Sequence, residues 1–297
     1  MNLLKRILAP LASLVALGSP ASAAARPLHV ARPALWAVTD ADTTIYLFGT
    51  IHLLPKDYAW RSPRFDQAVN GSQQLVVETL IDEKNPLALM SALSSLAFSP
   101  GLPPLADRVP PDKRAALAAA IAKNGMPPQA LDRMETWAAA FMLLGSQFKH
   151  MGLQDEGVEA VLKREFASKG KPIGELETNV QQLSFFDTLP EDAQRALLLG
   201  ALDDPANAND DFKGMLAAWV RGDVKAIAKS FDRDLGSTPA LQQALIKRRN
   251  ANWAKWIEAR MAQPGAVLIA VGAGHLAGNN SVVQLLQGQG YRVERIQ

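Results

Sequence analysis

Short hydrophobic runs lie near the two ends of this chain, and longer amphipathic stretches lie between them. Runs of about four to six apolar residues that are bounded by turn residues are typical of buried strands. The pattern predicts six strands, at residues 35–38, 43–48, 74–77, 171–176, 266–271 and 291–296. The two ends of the chain are therefore expected to build a sheet.

Helix start signals dominate the middle of the chain. A proline in the first turn, acids after it and a glycine at the end mark helix boundaries. These signals predict helices that begin at residues 110–112, 128–129 and 190–192, of which the first ends at 124–125 and the second runs through Trp137 and Leu144. A further helix fits between residues 52 and 78, as in a βαβ unit.

Together these elements predict an α/β fold, with a central mixed β-sheet built from both ends of the chain and a large helical insertion in the middle. Turn-rich breaks occur at residues 98–104 and 202–207, and both are too short to act as flexible linkers. We therefore expect one domain that carries helical insertions, rather than two separate domains.

The N-terminal residues have the pattern of a secretory signal. Lys5 and Arg6 precede an apolar stretch at residues 7–18, and the small residues at 21–23 form a cleavage site. Residues 1–23 are therefore predicted to be a signal peptide, which leaves a single domain over residues 24–297 and a periplasmic or secreted location. The apolar stretch is shorter than the roughly 18 residues of a membrane span, so no integral membrane segment is expected after signal removal.

Composition narrows the chemistry that the chain can perform. With no cysteine among its 297 residues, it can form no disulfide, thiolate metal site or cysteine nucleophile, so nitrogen and oxygen atoms must hold any metal. The formal net charge of +2 comes from the two basic residues of the predicted signal peptide, and the remainder is neutral. Nucleic acid is therefore not expected as a partner.

The same tetrapeptide, Gly-x-x-His, follows two of the predicted strands. One copy ends at His52, after the strand at 43–48, and the other ends at His275, after the strand at 266–271. A buried strand that ends in glycine and then presents an imidazole can deliver a ligand or a general base to the rim of a sheet, where open α/β folds bind their substrates. The two histidines are therefore expected to meet at one edge.

Glu78 directly follows the strand at 74–77 and adds a carboxylate at the same edge. Such a buried carboxylate is costly unless it is paired or binds a cation. Together, His52, His275 and Glu78 predict a divalent metal site with open positions for water. An ion there could acidify that water or polarise a carbonyl. The alternative is that Glu78 only begins a helix, since acids also favour helix N-termini.

Two further polar residues are candidates for catalysis. Glu177 lies at the end of the fourth strand, where it could tune the metal or act as a general base; alternatively, it only flanks a helix cap at Thr178. Arg249 lies within an apolar stripe of a predicted helix, so its guanidinium is expected to be buried and to need an anionic partner. That partner could be Glu78, Glu177 or the oxyanion of an attacked acyl group. Arg249 could equally join two layers through a buried ion pair.

Several segments of the mature chain, taken together and in their order along the sequence, resemble the TraB/GumN family. Its wider superfamily includes the Tiki metalloproteases, the erythromycin esterases and the ChaN-type haem-binding lipoproteins. The segments that carry the resemblance are 35–36, 45–52, 76–78, 171–178, 218–223, 249–253 and 271–278. The resemblance implies metal-site roles for His52, Glu78 and His275, and places Glu177 and Arg249 at the remaining polar positions of the family pattern. The Tiki branch implies peptide hydrolysis that depends on manganese or cobalt.

These observations lead to the expectation of a periplasmic metal-dependent hydrolase, most simply a peptidase, that acts on a peptide or other acyl bond. The expected cofactor is a divalent ion, manganese, cobalt, iron or zinc, with Glu177 or Glu78 handling the proton and Arg249 steadying the oxyanion. Two alternatives stay open. The erythromycin esterase branch implies a metal-free hydrolase with a histidine base, and the ChaN branch implies a non-catalytic envelope protein that binds haem or a peptide.

Overall fold

The computed structural model describes residues 31–55, 58–80, 86–150, 157–203, 205–235 and 238–297. The predicted signal peptide, residues 1–23, lies outside the described residues. Within these ranges, no helix combines the length and the apolar character that a membrane span requires.

Six strands form one mixed sheet, in the order β4-β3-β5-β2-β1-β6. Their bounds are β1 Leu35–Thr39, β2 Thr43–Thr50, β3 Gln74–Val77, β4 Ile173–Glu175, β5 Gly265–Gly272 and β6 Val293–Arg295. β2, β5, β3 and β4 run parallel, and β1 pairs antiparallel with both β2 and β6. The predicted α/β fold, with a sheet built from both ends of the chain, is confirmed. β4 is shorter than predicted, because Pro172 precedes it and has no N–H for the ladder.

The remainder of the described chain is largely helical. The helices are α1 Pro63–Gly71, α2 Pro86–Leu96, α3 Arg114–Asn124, α4 Pro128–Asp132, α5 Thr136–His150, α6 Val158–Ser168, α7 Asn179–Asp187, α8 Glu191–Ala201, α9 Pro205–Val220, α10 Val224–Leu235, α11 Pro239–Gln242, α12 Arg248–Met261 and α13 Val282–Gly288. The predicted helical insertion is thus confirmed, and most of it lies between β3 and β5.

The helix boundaries test the start and stop signals. Gly125 ends α3 in the left-handed conformation, at φ 74°, and Pro190 caps α8, both as predicted. The helix predicted to run unbroken from residue 128 through Leu144 is wrong, because α4 ends at Asp132 and α5 begins only at Thr136. The residues between them pair with the loop before them: the Glu135 N–H donates to the carbonyl of Ala97 at 2.8 Å. Tertiary hydrogen bonds therefore override the local helical signal.

Among the described residues between β2 and β3, α1 is the one helix, as predicted. Because β5 lies between those two strands in space, the connection crosses one strand position. The first and last parts of the chain are thereby interleaved, and the turn after β5 comes to lie between the turns after β2 and β3.

Both faces of the sheet are buried. Alternate strand residues pack on α1, α6, α9 and α10 on one face, and on α12 and α13 on the other. A third apolar cluster joins α5, α7 and α8 to the segment at residues 241–246. The loops at one end of the sheet are therefore held by rigid layers on either side.

Candidate active site

Four neighbouring parallel strands end at the same edge of the sheet. Thr50 at the end of β2 pairs with Gly272 at the end of β5, and Val77 at the end of β3 pairs with Glu175 at the end of β4. The residues that follow these four strand ends are the sequence candidates. The structure brings all of them, together with Arg249 from α12, into one group: His52, Glu78, Glu177, Arg249 and His275.

Gly272 lies at the centre of this group. A Cβ atom on Gly272 would lie 3.2 Å from Glu78 Oε1, 3.5 Å from His52 Nε2 and 3.6 Å from His275 Cδ2. The two Gly-x-x-His turns therefore meet, as predicted, with both imidazoles bordering one point in space. We call this space, bordered by Glu78, His52 and His275, the Gly272 cradle.

Arg249 joins the two acids at the site. Its Nη2 donates to Glu78 Oε2 at 2.7 Å, and its Nε donates to both oxygens of Glu177 at 2.9 and 3.0 Å. Only 1% of its surface is exposed, and both acids are also buried. Of the partners that the sequence left open for Arg249, the structure therefore provides Glu78 and Glu177 together.

The helix that carries Arg249 is irregular just before this residue. A π-helical turn at Gln243–Lys247 directly precedes α12, and the Arg248 N–H closes it by bonding to the carbonyl of Gln243. Single π turns inside helices often accompany functional sites, because they rotate the residues that follow. Trp253, one turn after Arg249, lies with its ring centroid 4.8 Å from the guanidinium carbon and donates to Glu177 Oε1 at 2.8 Å. We infer that Trp253 fixes both members of this ion pair.

The two acids are shifted in opposite directions. Burial alone would raise the pKa of Glu78, but Arg249, the two histidines and the N–H of Gly272 together hold it well below its usual range. Burial, with a contribution from the charge of Glu78, raises the pKa of Glu177 despite its bonds to Arg249. Burial also acts against the charge of Arg249, yet the two carboxylates raise its pKa further. Glu78 is therefore the firmly ionised acid of the pair.

His275 is held in one tautomer by Asn250. Asn250 uses its amide nitrogen to donate to the carbonyl of Asn280 at 2.6 Å, so its oxygen accepts from His275 Nδ1 at 2.6 Å. The Nε2 of His275 therefore carries a lone pair, which accepts from Arg249 Nη1 at 3.2 Å. Burial and the charge of Arg249 lower the pKa of His275 to about 3. This imidazole is neutral at physiological pH.

His52 is oriented by a third acid, Glu159, in the first turn of α6. His52 Nδ1 lies 2.7 Å from Glu159 Oε1, which also accepts from the hydroxyl of Thr50. This contact leaves His52 Nε2 facing the Gly272 cradle. Burial alone would lower the pKa of His52, but the carboxylates of Glu159 and Glu78 outweigh it and raise the pKa.

Three residues of the site carried no predicted role: Glu159, Asn250 and Gln182. Gln182, in α7, donates from Nε2 to Glu78 Oε2 at 3.4 Å. Asn250 directly follows Arg249, and helical geometry alone does not show that it reaches His275. For Glu159 a weak signal exists: Gly157 precedes it, and a Cβ there would lie 2.1 Å from the carbonyl oxygen of His52. That glycine permits the close approach of α6 to the histidine turn.

Replacement of Gly272 by alanine tests the Gly272 cradle without removing any polar group. Its backbone, at φ −50° and ψ 133°, is accessible to alanine, so the variant is expected to fold. The added methyl would intrude among Glu78, His52 and His275, and we expect any activity at this site to fall about a hundredfold, as displacements of about 1 Å can do. Gly288→Ala, where a Cβ meets nothing within 4 Å, is the matched control. Unchanged activity in Gly272→Ala would mean that the chemistry takes place elsewhere.

Glu159→Gln tests the orientation of His52. The amide can still bond to the imidazole but carries no charge, so the pKa of His52 should fall and less of it should be protonated at neutral pH. Loss of a residue that orients a functional histidine typically lowers metal affinity or activity about 10- to 100-fold, and we expect a loss of that size in Glu159→Gln. The measurement is an NMR titration of the histidine ring protons, with chelator present. A pKa of His52 that stays the same or rises would contradict the assigned contact.

Among the residues that the structure describes, no three or more His, Asp or Glu already stand in the arrangement of a metal site. Glu78 Oε1 and His275 Nε2, two of the predicted ligand atoms, lie 3.9 Å apart.

Comparison with known sequences places the chain among relatives. Residues 34–295 match the sequence model of the TraB/PrgY/gumN family, a stretch that runs from just before β1 to the end of β6. Two similar proteins, both named uncharacterized protein YbaP, come from Escherichia coli (strain K12) and Shigella flexneri. Each is 25% identical over 269 residues, which cover 89% of this chain and 96% of the relative. No solved structure gives a significant match.

Proposed function

This chain belongs to the TraB/PrgY/gumN family, and we propose that it is an exported, metal-dependent hydrolase that cleaves a peptide or another acyl bond. The observation that carries the proposal is the Gly272 cradle, where two imidazoles and an ionised carboxylate border one small space. Export is proposed from the signal pattern at residues 1–23.

The residues around the Gly272 cradle fit a divalent ion in donor chemistry. Each imidazole engages Nδ1 with an oxygen, of Glu159 or of Asn250. Metal-binding histidines are usually oriented in this way by an outer partner. His52 Nε2 borders the Gly272 cradle, and His275 Nε2 lies 3.9 Å from Glu78 Oε1. Glu78, His52 and His275 form the hard-to-borderline set that suits manganese, cobalt, iron or zinc. An ion held there would supply Lewis acidity to a water molecule and to a substrate carbonyl.

Glu78, Glu177 and Arg249 have separate roles in the proposed reaction. Glu78, with its lowered pKa, stays ionised and suits the role of ligand, whereas Glu177, with its raised pKa, is better matched to accepting a proton. Arg249 contacts both acids, and its Nη1 lies 3.2 Å from Nε2 of His275, whose ring borders the Gly272 cradle. A guanidinium there can donate to the oxyanion that forms when the carbonyl is attacked.

One observation favours a second candidate, a metal-free hydrolase. Arg249 Nη1 already uses the lone pair of His275 Nε2, whereas His52 Nε2 has no hydrogen-bond partner among the residues that the structure describes. His52, with Glu159 fixing Nδ1 and a raised pKa, has the arrangement of a general base with its orienting acid. In this version His52 takes the proton of the attacking water, and Arg249 stabilises the oxyanion.

The test is hydrolysis of peptide p-nitroanilides and of the matching p-nitrophenyl esters by the purified mature protein. We expect release of nitroaniline or nitrophenol that Gly272→Ala lowers about a hundredfold and that chelator stops until manganese or zinc is restored. Activity that survives chelator would support the metal-free version. A folded protein that cleaves neither series would contradict both and would favour the haem-binding or peptide-binding alternative.

A further inference from the structure

Gln182 is a buried residue of the site that the proposed mechanism does not use. Its side chain lies in α7 beside Glu78, and only 4% of its surface is exposed. Its Nε2 donates to Glu78 Oε2 at 3.4 Å. Within the described part of the chain, its Oε1 has no hydrogen-bond partner, the only buried side-chain polar atom in that condition.

The orientation of this amide is set by chemistry. An ionised carboxylate can only accept hydrogen bonds, so the Gln182 atom that faces Glu78 must be the donating nitrogen. The reverse orientation would set a carbonyl oxygen against a carboxylate oxygen. The unpaired atom is therefore an acceptor, close to the carboxylate that borders the Gly272 cradle.

A buried acceptor without a donor costs folding free energy. Groups of this kind are rare in native proteins, and each calls for an explanation such as a catalytic role, local strain or a bound water or ion. Here the acceptor belongs to the side chain that donates to Glu78 Oε2, and the other oxygen of that carboxylate borders the Gly272 cradle. What would satisfy it is a donor that arrives with the substrate.

We propose that Gln182 Oε1 accepts a hydrogen bond from the N–H of the scissile amide, and that this contact makes the site selective for amides over esters. The inference rests on the proposed hydrolase function. In the reaction, the water oxygen forms a bond to the carbonyl carbon, the C–N bond breaks, and the proton from water ends on the leaving nitrogen. The leaving group thus carries an N–H throughout, whereas the leaving oxygen of an ester has no hydrogen to donate before cleavage.

Selectivity of this kind can be large. A site built to bond a substrate N–H or O–H leaves its own polar group unpaired when the analogue lacks that hydrogen, and it rejects such analogues strongly. An apolar residue in place of Gln182 removes the acceptor, so the difference between amide and ester should shrink.

The experiment compares Gln182→Met with the native protein on one acyl dipeptide, supplied as its p-nitroanilide and as its p-nitrophenyl ester. We expect kcat/KM for the anilide to fall about tenfold to hundredfold further than that for the ester, because both substrates share the loss of the Gln182 bond to Glu78 and only the anilide loses the acceptor. The ester rate serves as the internal measure of folding and of that shared loss. Gln194→Met is the matched control, because Gln194 is also buried in a helix but both of its polar atoms are bonded, to Trp137 and Leu189.

Thermal unfolding without substrate supplies a second readout. The apparent melting temperature of Gln182→Met should fall less than that of Gln194→Met, because the first variant removes an unpaired oxygen together with one long hydrogen bond, whereas the second removes two hydrogen bonds. Equal losses on anilide and ester, no loss on either, or a native protein that cleaves only the ester would overturn the assignment of Gln182 while leaving the hydrolase in place. A native protein that cleaves neither would remove the proposed function itself, and this inference with it.

Discussion

Arg249→Met is expected to lower the free energy of unfolding by about 3–5 kcal/mol, the usual cost of leaving a buried charge without its partner. Arg249 is the cation that both Glu78 and Glu177 contact, and methionine would leave two buried carboxylates facing each other. The apolar stem would be preserved, so the loss should reflect charge rather than packing. The measurement is equilibrium denaturation by urea, in which the midpoint should fall while the slope of the unfolding free energy against urea concentration stays the same.

Two comparisons separate this effect from general damage to α12. Arg248→Met alters the exposed neighbour in the same helix and should change stability by no more than about 0.5 kcal/mol. Adding Glu177→Gln to Arg249→Met removes one of the unpaired charges and should recover part of the loss. If Arg249→Met is as stable as Arg248→Met, Arg249 does not form the buried ion pairs with Glu78 and Glu177.

His52→Asn is expected to reduce hydrolysis by at least about 100-fold, and up to about 10,000-fold, while the protein stays folded. The amide of asparagine can replace Nδ1–H in the contact with Glu159, but it places no nitrogen where His52 Nε2 borders the Gly272 cradle. The residue lies at the rim, with 11% of its side chain exposed, so its loss should cost little stability. Activity is measured on the substrate that the native protein cleaves.

Comparison with Glu159→Gln separates the loss of His52 Nε2 from a change in its orientation. Glu159→Gln keeps Nε2 and disturbs its orientation, so its loss of activity should be the smaller of the two. If His52→Asn retains native activity, neither version of the mechanism survives, because both require that nitrogen, as a ligand or as the base.

The strand ends of the site could be predicted because a buried strand has a simple period. Apolar runs before Gly49 and Gly272 identified β2 and β5, and the residues that follow a parallel strand must emerge at its carboxyl end. The meeting of His52 and His275 follows from that rule once both strands are placed in one sheet. Glu78 follows from the same reasoning.

The helical contributions could not be predicted in this way, since they depend on how layers pack. Glu159 reaches His52 because α6 docks on the histidine turn, with the Val158 N–H bonded to the carbonyl of Ile51 at 3.2 Å. Asn250 and Gln182 reach the site from helices on which nothing local distinguishes them from other polar residues. The choice of partner for Arg249 likewise needed the tertiary arrangement.

The break between α4 and α5 shows the same limit. Proline at residue 128 and the apolar spacing through Leu144 are typical of one continuous helix. In the structure, the buried side chain of Arg108 instead donates to the carbonyls of Asp132 and Met134, both at 2.6 Å. A buried guanidinium that needs acceptors at that point is information that helical periodicity does not contain.

A divalent ion in the Gly272 cradle should stay with the purified mature protein, so metal content is the decisive measurement. The protein is purified without chelator, exposed to manganese and zinc, dialysed and analysed for metals, beside His52→Ala, His275→Ala and Gly272→Ala. We expect about one ion per native chain and a loss of that ion in all three folded variants. A folded native protein that retains no ion, or variants that retain as much as the native protein, would contradict this expectation.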